Sequence, residues 1–175
     1  HPTFDAVGTF AGFNRLLAIL AQREEALKYG EHKLSTILDN VDAFIYVKDT
    51  EGRYLFANRR LLELFGLPID VVMGHGDESF FDAPTLAQLR RNDHQVLTGG
   101  QTVKADETNL TLLNGRTKTC LSVKLPLRND AGDIYALCGV STDITARKQA
   151  EEERRIGAIA FECQEGMVVM DASST

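Results

Sequence analysis

The residues that could carry catalysis do not form a recognisable catalytic motif. Serine, histidine and aspartate all occur, but there is no G-x-S-x-G, no G-x-x-x-x-G-K phosphate loop and no H-E-x-x-H. The glycine-rich segment at 74–77 lacks the lysine that a phosphate loop requires. Asp77 and Glu78 are adjacent, so on a helix they point apart, and we expect them to cap a short helix running to Phe81. The sequence therefore predicts that this chain is not an enzyme.

Potential metal and redox ligands are also sparse. His75 and His94 are the candidates on or near helices, and neither has the neighbouring second histidine that a metal site would use. Cys120, Cys138 and Cys163 form no C-x-x-C pair, and an odd, low cysteine count is typical of a reducing compartment. We therefore expect no bound metal and a cytoplasmic location.

Polar residues within apolar segments are the candidates for binding a small molecule. A pocket needs an apolar lining with a few well-placed polar groups. The same residues also suit a closed core, because buried Asn and Asp side chains usually bond to backbone groups. The closed core is the favoured interpretation, and a ligand pocket is the alternative. The candidate set is Tyr46, Asn58, Phe65, Phe80, Asn92, Asp93, Ser122 and Ser141.

Charge and hydropathy exclude several classes of partner. The net charge is −6 and the pI is about 5.2, which gives no electrostatic footprint for nucleic acid or an anionic membrane. No apolar run approaches the roughly 20 residues that a membrane helix requires. The chain begins with His1 and stops at Thr175, and both ends suggest a piece of a longer protein, which leaves an upstream membrane anchor open.

The order of predicted elements indicates an α+β fold. Strands over 43–48 and 53–57 flank a turn at 49–52, and strands over 101–113 and 116–127 flank Asn114-Gly115, a strong hairpin signal. Hairpins make the sheet antiparallel, and helices are predicted between the two groups of strands, over 59–65 and 83–97. Strand alternation makes Leu121, Val123 and Val140 candidates for the pocket wall. Alternatively, Leu121, Val123 and Leu125 lie on an outer face that binds the entry helix or a partner.

The N-terminal segment has a heptad-like apolar stripe, interrupted by Glu24 and Glu31. One interpretation is an amphipathic helix packed on its own domain. The favoured one is a signalling helix that pairs with a second copy of the chain, since the stripe is longer than one small domain needs. We expect Gly30 to break or bend this helix. The stripe consists of Phe10, Phe13, Leu17, Leu20, Leu27, Leu34 and Leu38.

A junction between strand and helix lies at 134–150. An apolar strand ends in Asp143, Ile144 and Thr145, and a charged segment of good helix formers follows. Thr142, Asp143 and Thr145 are residue types that cap helix N-termini. We expect this strand–helix junction to pass a change in the sheet to the outgoing helix.

This junction resembles the end of PAS domains, whose last strand closes on Asp-Ile-Thr before a linker helix. The segments at 36–49, 52–58, 74–81 and 119–127 are similar, in order and spacing, to further PAS elements. The resemblance implies a PAS fold with a five-stranded antiparallel sheet, the last strand beside the first, and short helices on one face. It also implies a sensory module of a bacterial multidomain signalling protein, in which Asp143, Ile144 and Thr145 relay the signal. We expect Asp143 to pair with a basic residue near the entry helix or on the second strand, with Lys48 and Arg53 as the candidates.

The resemblance also bears on cofactors. The segment at 74–83 has no cysteine, so the Asn-Cys-Arg motif of flavin-binding light sensors is missing. His94 lies several residues later than the iron ligand of haem-binding relatives. We therefore predict neither flavin nor haem, although an unidentified small-molecule ligand stays possible.

The C-terminal segment repeats the pattern that opens the PAS-like region. Residues 161–175 resemble the start of a second PAS domain, with 167–170 as its first strand. The predicted organisation is a signalling helix over 1–33, a PAS domain over 34–145, a linker helix over 146–160 and this fragment. The pattern at 160–167 looks like PAS domains that precede GGDEF and EAL modules of cyclic-di-GMP metabolism. A histidine kinase is the alternative output. A further alternative function is a haem- or flavin-binding sensor of oxygen or redox state.

Overall fold

A computed structural model of the chain describes the backbone of residues 6–172 and the side chains of residues 15–105 and 108–159. The chain divides into two compact units, His1–Val41 and Asp42–Thr175. We call them the helical unit and the sheet unit.

The helical unit consists of one long helix, α1, over Ala6–Asp39. The helix runs through Gly30 without interruption, so the break expected there does not occur. A single glycine costs only about 1 kcal/mol in a helix, and the good helix formers on either side outweigh it. The amide side chain of Asn40 bonds to the Thr36 carbonyl, 2.7 Å away, where the helix ends.

The sheet unit has five antiparallel strands in the order β2-β1-β5-β4-β3. Their bounds are β1 Phe44–Asp49, β2 Tyr54–Ala57, β3 Val103–Thr111, β4 Thr117–Arg128 and β5 Ile134–Asp143. The last strand lies beside the first, as the PAS resemblance implies. The predicted α+β class and antiparallel sheet are therefore confirmed, while β3 is shorter at both ends than expected.

Short helices connect the two groups of strands. They are α2 over Arg59–Phe65, α3 over Ile69–Val72, a 3₁₀ helix over Asp77–Ser79 and α4 over Ala83–Gly99. Gly66 and Gly100 end α2 and α4 in the left-handed conformation that favours glycine. Asp82 caps α4 by accepting a hydrogen bond from the Thr85 amide at 3.0 Å.

The last helix, α5, runs over Thr145–Ala172. The strand predicted at 167–170 is therefore wrong, since these residues are helical. A strand needs a hydrogen-bonded neighbour, and the five strands described are already paired with one another in a single sheet.

The two faces of the sheet differ in what they contact. Side chains that alternate along β1, such as Phe44 and Tyr46, are buried against the helices. Val123 and Val140 are not part of that core, and Val123 is exposed. Their assignment to the pocket wall, together with Leu121, is therefore wrong. They belong to the outer face, because Cys120, Ser122 and Lys124 take the buried positions of β4.

Asn58 ties α2 to the first strand. Its side-chain oxygen accepts hydrogen bonds from the amides of Ile45 (3.0 Å) and Leu61 (3.2 Å), and its side-chain nitrogen donates to the Ala43 carbonyl (2.9 Å). The residue is fully buried and is the N-cap of α2. The amide therefore satisfies three backbone groups.

Replacing Asn58 by alanine is expected to lower the free energy of unfolding by about 2–3 kcal/mol, from the lost cap and two unsatisfied backbone groups. Urea unfolding measures this loss. Gln95→Ala, at an exposed position of α4, is the matched control and should change stability by no more than about 0.5 kcal/mol. Equal stability of the two variants would contradict this role for Asn58.

Candidate functional site

Four charged side chains meet inside the sheet unit, between the sheet and the helices. Lys48 comes from β1 and Lys124 from β4, whereas Asp77 comes from the 3₁₀ helix and Asp93 from α4. Lys48 Nζ lies 2.5 Å from Asp77 Oδ2 and 3.1 Å from Asp93 Oδ2. Lys124 Nζ contacts Asp93 Oδ1. We call these four residues and Tyr54 the charge network.

Tyr54 completes the charge network from β2. Its hydroxyl donates to Asp77 Oδ1 at 2.7 Å, so both oxygens of this carboxylate are bonded. Lys48 Nζ also lies 5.0 Å from the centre of the Tyr54 ring and 5.2 Å from that of Tyr46, within the range of cation–π attraction. Two ammonium groups balance two carboxylates, which makes a buried electroneutral cluster.

The side chains of the charge network are strongly buried, and burial alone disfavours their charged forms. Burial lowers the pKa of Lys48, but the Asp77 and Asp93 carboxylates outweigh it and raise that pKa above its usual value. Burial likewise opposes ionisation of Asp93, yet Lys48 and Lys124 hold the pKa of its carboxyl below the usual range. Burial and the adjacent Asp77 carboxylate raise the pKa of Tyr54, so its phenol stays protonated.

The charge network connects the helices to the sheet. Its lysines lie on two strands and its aspartates on the two helical elements that cover those strands. Asp93 shares a face of α4 with buried Leu89 and Val96, four residues before and three after it. Breaking one of these pairs would leave an unpaired charge in the interior, so the network fixes how the helices sit on the sheet.

The predicted site included Asp93 but missed most of its partners. Asp77 was expected to cap a short helix, and this is wrong, because its carboxylate bonds to Lys48 and Tyr54 instead. Two inward lysines were missed because lysine is almost never fully buried. Strand alternation was the signal that could have found them: Lys48 follows Phe44 and Tyr46 on one face.

The other predicted ligand residues divide into three groups. Tyr46, Ser122 and Ser141 line an interior cavity of about 20 Å³, room for roughly one water molecule. The Ser122 and Ser141 hydroxyls bond each other at 2.8 Å. Phe65 and Phe80 stack with ring centres 4.4 Å apart, outside the lining of that cavity.

Asn58 and Asn92 form the third group, since neither lines the cavity. Asn58 binds backbone groups, and Asn92 is half-buried beside Asp93 in α4, where adjacent side chains point apart. Ligand binding by the predicted set therefore stays a prediction, and any ligand larger than a water molecule would have to displace part of the wall.

The strand–helix junction is held by both β4 and β5. Asp143 Oδ1 accepts from the Thr145 amide (2.9 Å) and hydroxyl (2.6 Å), and Asp143 Oδ2 lies 2.8 Å from Lys118 Nζ. The Thr119 amide donates to Thr145 Oγ1 at 2.9 Å, and its carbonyl accepts from the Ile144 amide at 2.8 Å. Ile144 is itself buried. The first turn of α5 is therefore fastened to β4 at several points.

The partner of Asp143 differs from the expected one. Lys48 belongs to the charge network, and Arg53 pairs with Glu51 at 2.5 Å, so both candidates are wrong. Lys118 takes that position because β4 lies beside β5, with Cys120 opposite Asp143 in the ladder. Burial would raise the pKa of Asp143, but the hydrogen bonds from Lys118 and Thr145 outweigh it and lower the pKa below its usual value.

Cysteine and metal chemistry find little support among the described residues. Burial raises the pKa of Cys120 to about 12 and also raises the pKa of Cys138, which makes both thiols poor nucleophiles. In the part of the chain that the structure describes, no three His, Cys, Asp or Glu side chains are grouped to hold a metal ion. Cys163 lies outside the residues whose side chains are described.

Comparison with known proteins identifies the family. The PAS fold family matches residues 38–149, so this chain belongs to the PAS family and contains a PAS sensor domain. It is 35% identical over 140 residues to the methanogenesis regulatory histidine kinase FilI of Methanothrix harundinacea, covering 80% of this chain and 16% of that protein. It is 31% identical over 127 residues to a diguanylate cyclase of Vibrio cholerae, covering 72% of this chain and 39% of that protein.

Solved structures agree on the fold. The PAS domain of Bordetella pertussis BvgS is 29% identical with a TM-score of 0.53, and the match covers 77% of this chain and 98% of that domain. VqmA of Vibrio cholerae, solved bound to DPO, is 22% identical with a TM-score of 0.57 over 65% of this chain and 57% of that one. The latter likeness concerns the fold alone.

None of the helices, within the residues described, is both long and apolar enough to cross a membrane.

Proposed function

We propose that this chain is the sensory and dimerisation module of a larger signalling protein, and that its strand–helix junction relays the state of the sheet to α5. The observation that carries the proposal is the set of bonds between Asp143, Thr145, Lys118 and Thr119. These bonds join two neighbouring strands to the first turn of an outgoing helix. A helix fastened in this way must move when either strand moves.

The relay would work by a shift between two populations. The sheet and its helices take one packing without the signal and another with it, and the signal stabilises the second. Because β4 carries both Lys124 of the charge network and Lys118 of the junction, one strand runs from the interior to the base of α5. A change in the interior can therefore reach the helix without an intermediate domain.

The proposed input is the state of an upstream domain or a small-molecule ligand in the interior. Tyr46, Ser122 and Ser141 supply polar groups at the cavity, and the apolar wall comes from core residues such as Leu61 and Leu110. Asp77 lines both this cavity and an outer cleft of about 320 Å³, which supports a route of entry past the charge network. We propose no haem or flavin, because residues 74–83 include no cysteine and the exposed His94 bonds to Thr98 within its own helix.

The proposed output is cyclic-di-GMP metabolism by a downstream GGDEF or EAL module, reached through a second PAS domain that begins near residue 161. The similarity to a diguanylate cyclase supports this output. Histidine kinase output is the alternative, and the similarity to FilI supports it. Assaying the full-length protein for cyclic-di-GMP turnover and for autophosphorylation distinguishes the two.

The proposed partner is a second copy of this chain, contacted through α1 and the outer sheet face. Exposed apolar side chains on both surfaces, including Leu27, Leu34 and Val123, support it. Native mass spectrometry of the purified chain tests the dimer and the ligand together. If the chain is a dimer and carries additional mass that denaturation releases, both the dimer and the ligand are supported. If it is a monomer without additional mass, both are contradicted.

A cytoplasmic location is also proposed. Its support is the odd number of cysteines and the absence of a C-x-x-C pair from the sequence.

A further inference from the structure

The apolar stripe of α1 follows a strict heptad. With Leu17 at position a, Leu20, Leu27 and Leu34 fall at successive d positions. The two intervening a positions are Glu24 and Glu31. The three d-position leucines are between 53% and 64% exposed, so this seam has large apolar side chains available for a partner.

The two acidic layers have different surroundings. Arg23 at position g and Lys28 at position e flank Glu24, and Lys28 Nζ lies 2.8 Å from Glu24 Oε1 in the same helix. Gly30 at g and Ser35 at e flank Glu31, and neither carries a charge. Lys28 also precedes Glu31 by three residues, but its ammonium pairs with Glu24. Glu24 is therefore compensated by Arg23 and Lys28, whereas the g and e positions beside Glu31 carry no cation.

We propose that α1 pairs in parallel and in register with a second copy of itself, and that Glu31 divides this seam into a firm N-terminal part and a weak C-terminal part. The inference rests on the dimer proposed above and adds its register and its weak layer. In a parallel pair, identical a positions face each other, so Glu24 meets the partner's Glu24 and Glu31 meets the partner's Glu31.

This register explains why the Glu24 and Glu31 layers differ in electrostatic energy. At the Glu24 layer, Arg23 and Lys28 from both copies surround two carboxylates, which makes the layer electrostatically complementary. At the Glu31 layer, two carboxylates meet beside glycine and serine while the nearby Lys28 is bound to Glu24, so their repulsion is offset less than at the Glu24 layer. The seam would separate first at Glu31, which lies between the firm part and the sheet unit that begins at Asp42.

The test compares three glutamate-to-leucine variants of the whole chain by sedimentation equilibrium. Glu31→Leu should lower the dimer dissociation constant about tenfold or more, because it replaces a repulsive polar layer by an apolar one. Glu24→Leu should lower it less, since that layer is already compensated. Glu25→Leu, at the outward position b, is the matched control and should leave it unchanged. Leucine and glutamate have similar helix propensities, so the helix itself is not altered.

Leu27→Glu separates this inference from the dimer proposal, because it should break the seam in any α1 dimer. If Leu27→Glu dissociates the dimer but Glu31→Leu binds no more tightly than Glu25→Leu, the weak layer is refuted and the dimer stands. If wild type and all variants are monomeric, the dimer proposal fails and the inference fails with it. If the dimer dissociation constant is lowest for Glu31→Leu, intermediate for Glu24→Leu and unchanged for Glu25→Leu, both the dimer and the weak layer are supported.

Discussion

Replacing Asp93 by asparagine is expected to lower the free energy of unfolding by about 3–5 kcal/mol, which is the usual cost of breaking a buried ion pair. Asparagine keeps the shape of the side chain but removes the charge that Lys48 and Lys124 share. Both ammonium groups are almost fully buried, so neither can be compensated by water. For a domain of ordinary stability this loss is a large part of the total.

Urea unfolding of wild type, Asp93→Asn and Asp130→Asn measures the effect. Asp130 lies in the exposed turn after β4 and is the matched control, with an expected change within about 0.5 kcal/mol. A double variant, Asp93→Leu with Lys124→Met, should recover part of the loss because it removes charges of both signs. A loss for Asp93→Asn no larger than that of the control would show that the charge network does not hold the helices on the sheet.

The same network predicts a pH dependence. The pKa of Asp93 is lowered in the fold, so its stabilisation is present above the unfolded pKa of about 3.9 and is lost as pH falls through the folded value. The pKa of Lys48 is raised, so its contribution is complete below about 10.4 and is lost as pH rises through the folded value. Asp93→Asn should therefore show a flatter acid limb than wild type in stability measured against pH.

Replacing Asp143 by alanine is expected to abolish the response of the full-length protein to its signal while leaving the sheet unit folded. The variant loses two hydrogen bonds from Thr145 and the ion pair with Lys118, so the first turn of α5 is no longer fixed to both strands. Asp143 is about one third exposed, so the loss of stability should be only about 1 kcal/mol. Output activity measured with and without the inducing condition reports the effect.

Asp133→Ala is the matched control for this prediction. Asp133 lies in the turn before β5 and is exposed, so its removal changes the charge equally without touching the junction. Lys118→Met should reproduce part of the Asp143 phenotype, because it removes one of the bonds that Asp143 makes. Wild-type induction in the Asp143→Ala protein would eliminate the junction as the relay.

Much of the fold could be predicted because local signals agree with one another. The Asn114-Gly115 hairpin, the glycines that end α2 and α4, and the apolar strand before Asp143 each specify local structure. Together with the PAS resemblance they predicted the antiparallel sheet and its order. The strand expected at 167–170 failed because strand formation depends on a paired neighbour, which a local pattern does not reveal.

The candidate site was less predictable because it depends on contacts between distant residues. Lys48 and Asp77 are 29 positions apart, and Lys124 and Asp93 are 31 apart. From residue type alone, a lysine is expected to be exposed and an aspartate before a short helix is expected to cap it. Only the folded structure shows that these residues pair with each other. The partner of Asp143 was missed for the same reason, since Lys118 reaches it across the β4–β5 ladder.

Amide hydrogen exchange at the strand–helix junction, followed by NMR, tests the central claim most directly. In wild type the amides of Thr119 and Ile144 should be protected by their bonds to Thr145 Oγ1 and the Thr119 carbonyl. Asp143→Ala should speed exchange at both amides at least about tenfold, while amides of the β1–β5 ladder keep their rates. Unchanged rates at Thr119 and Ile144 in that variant would contradict the account, because α5 would then be held to the sheet by something other than this junction.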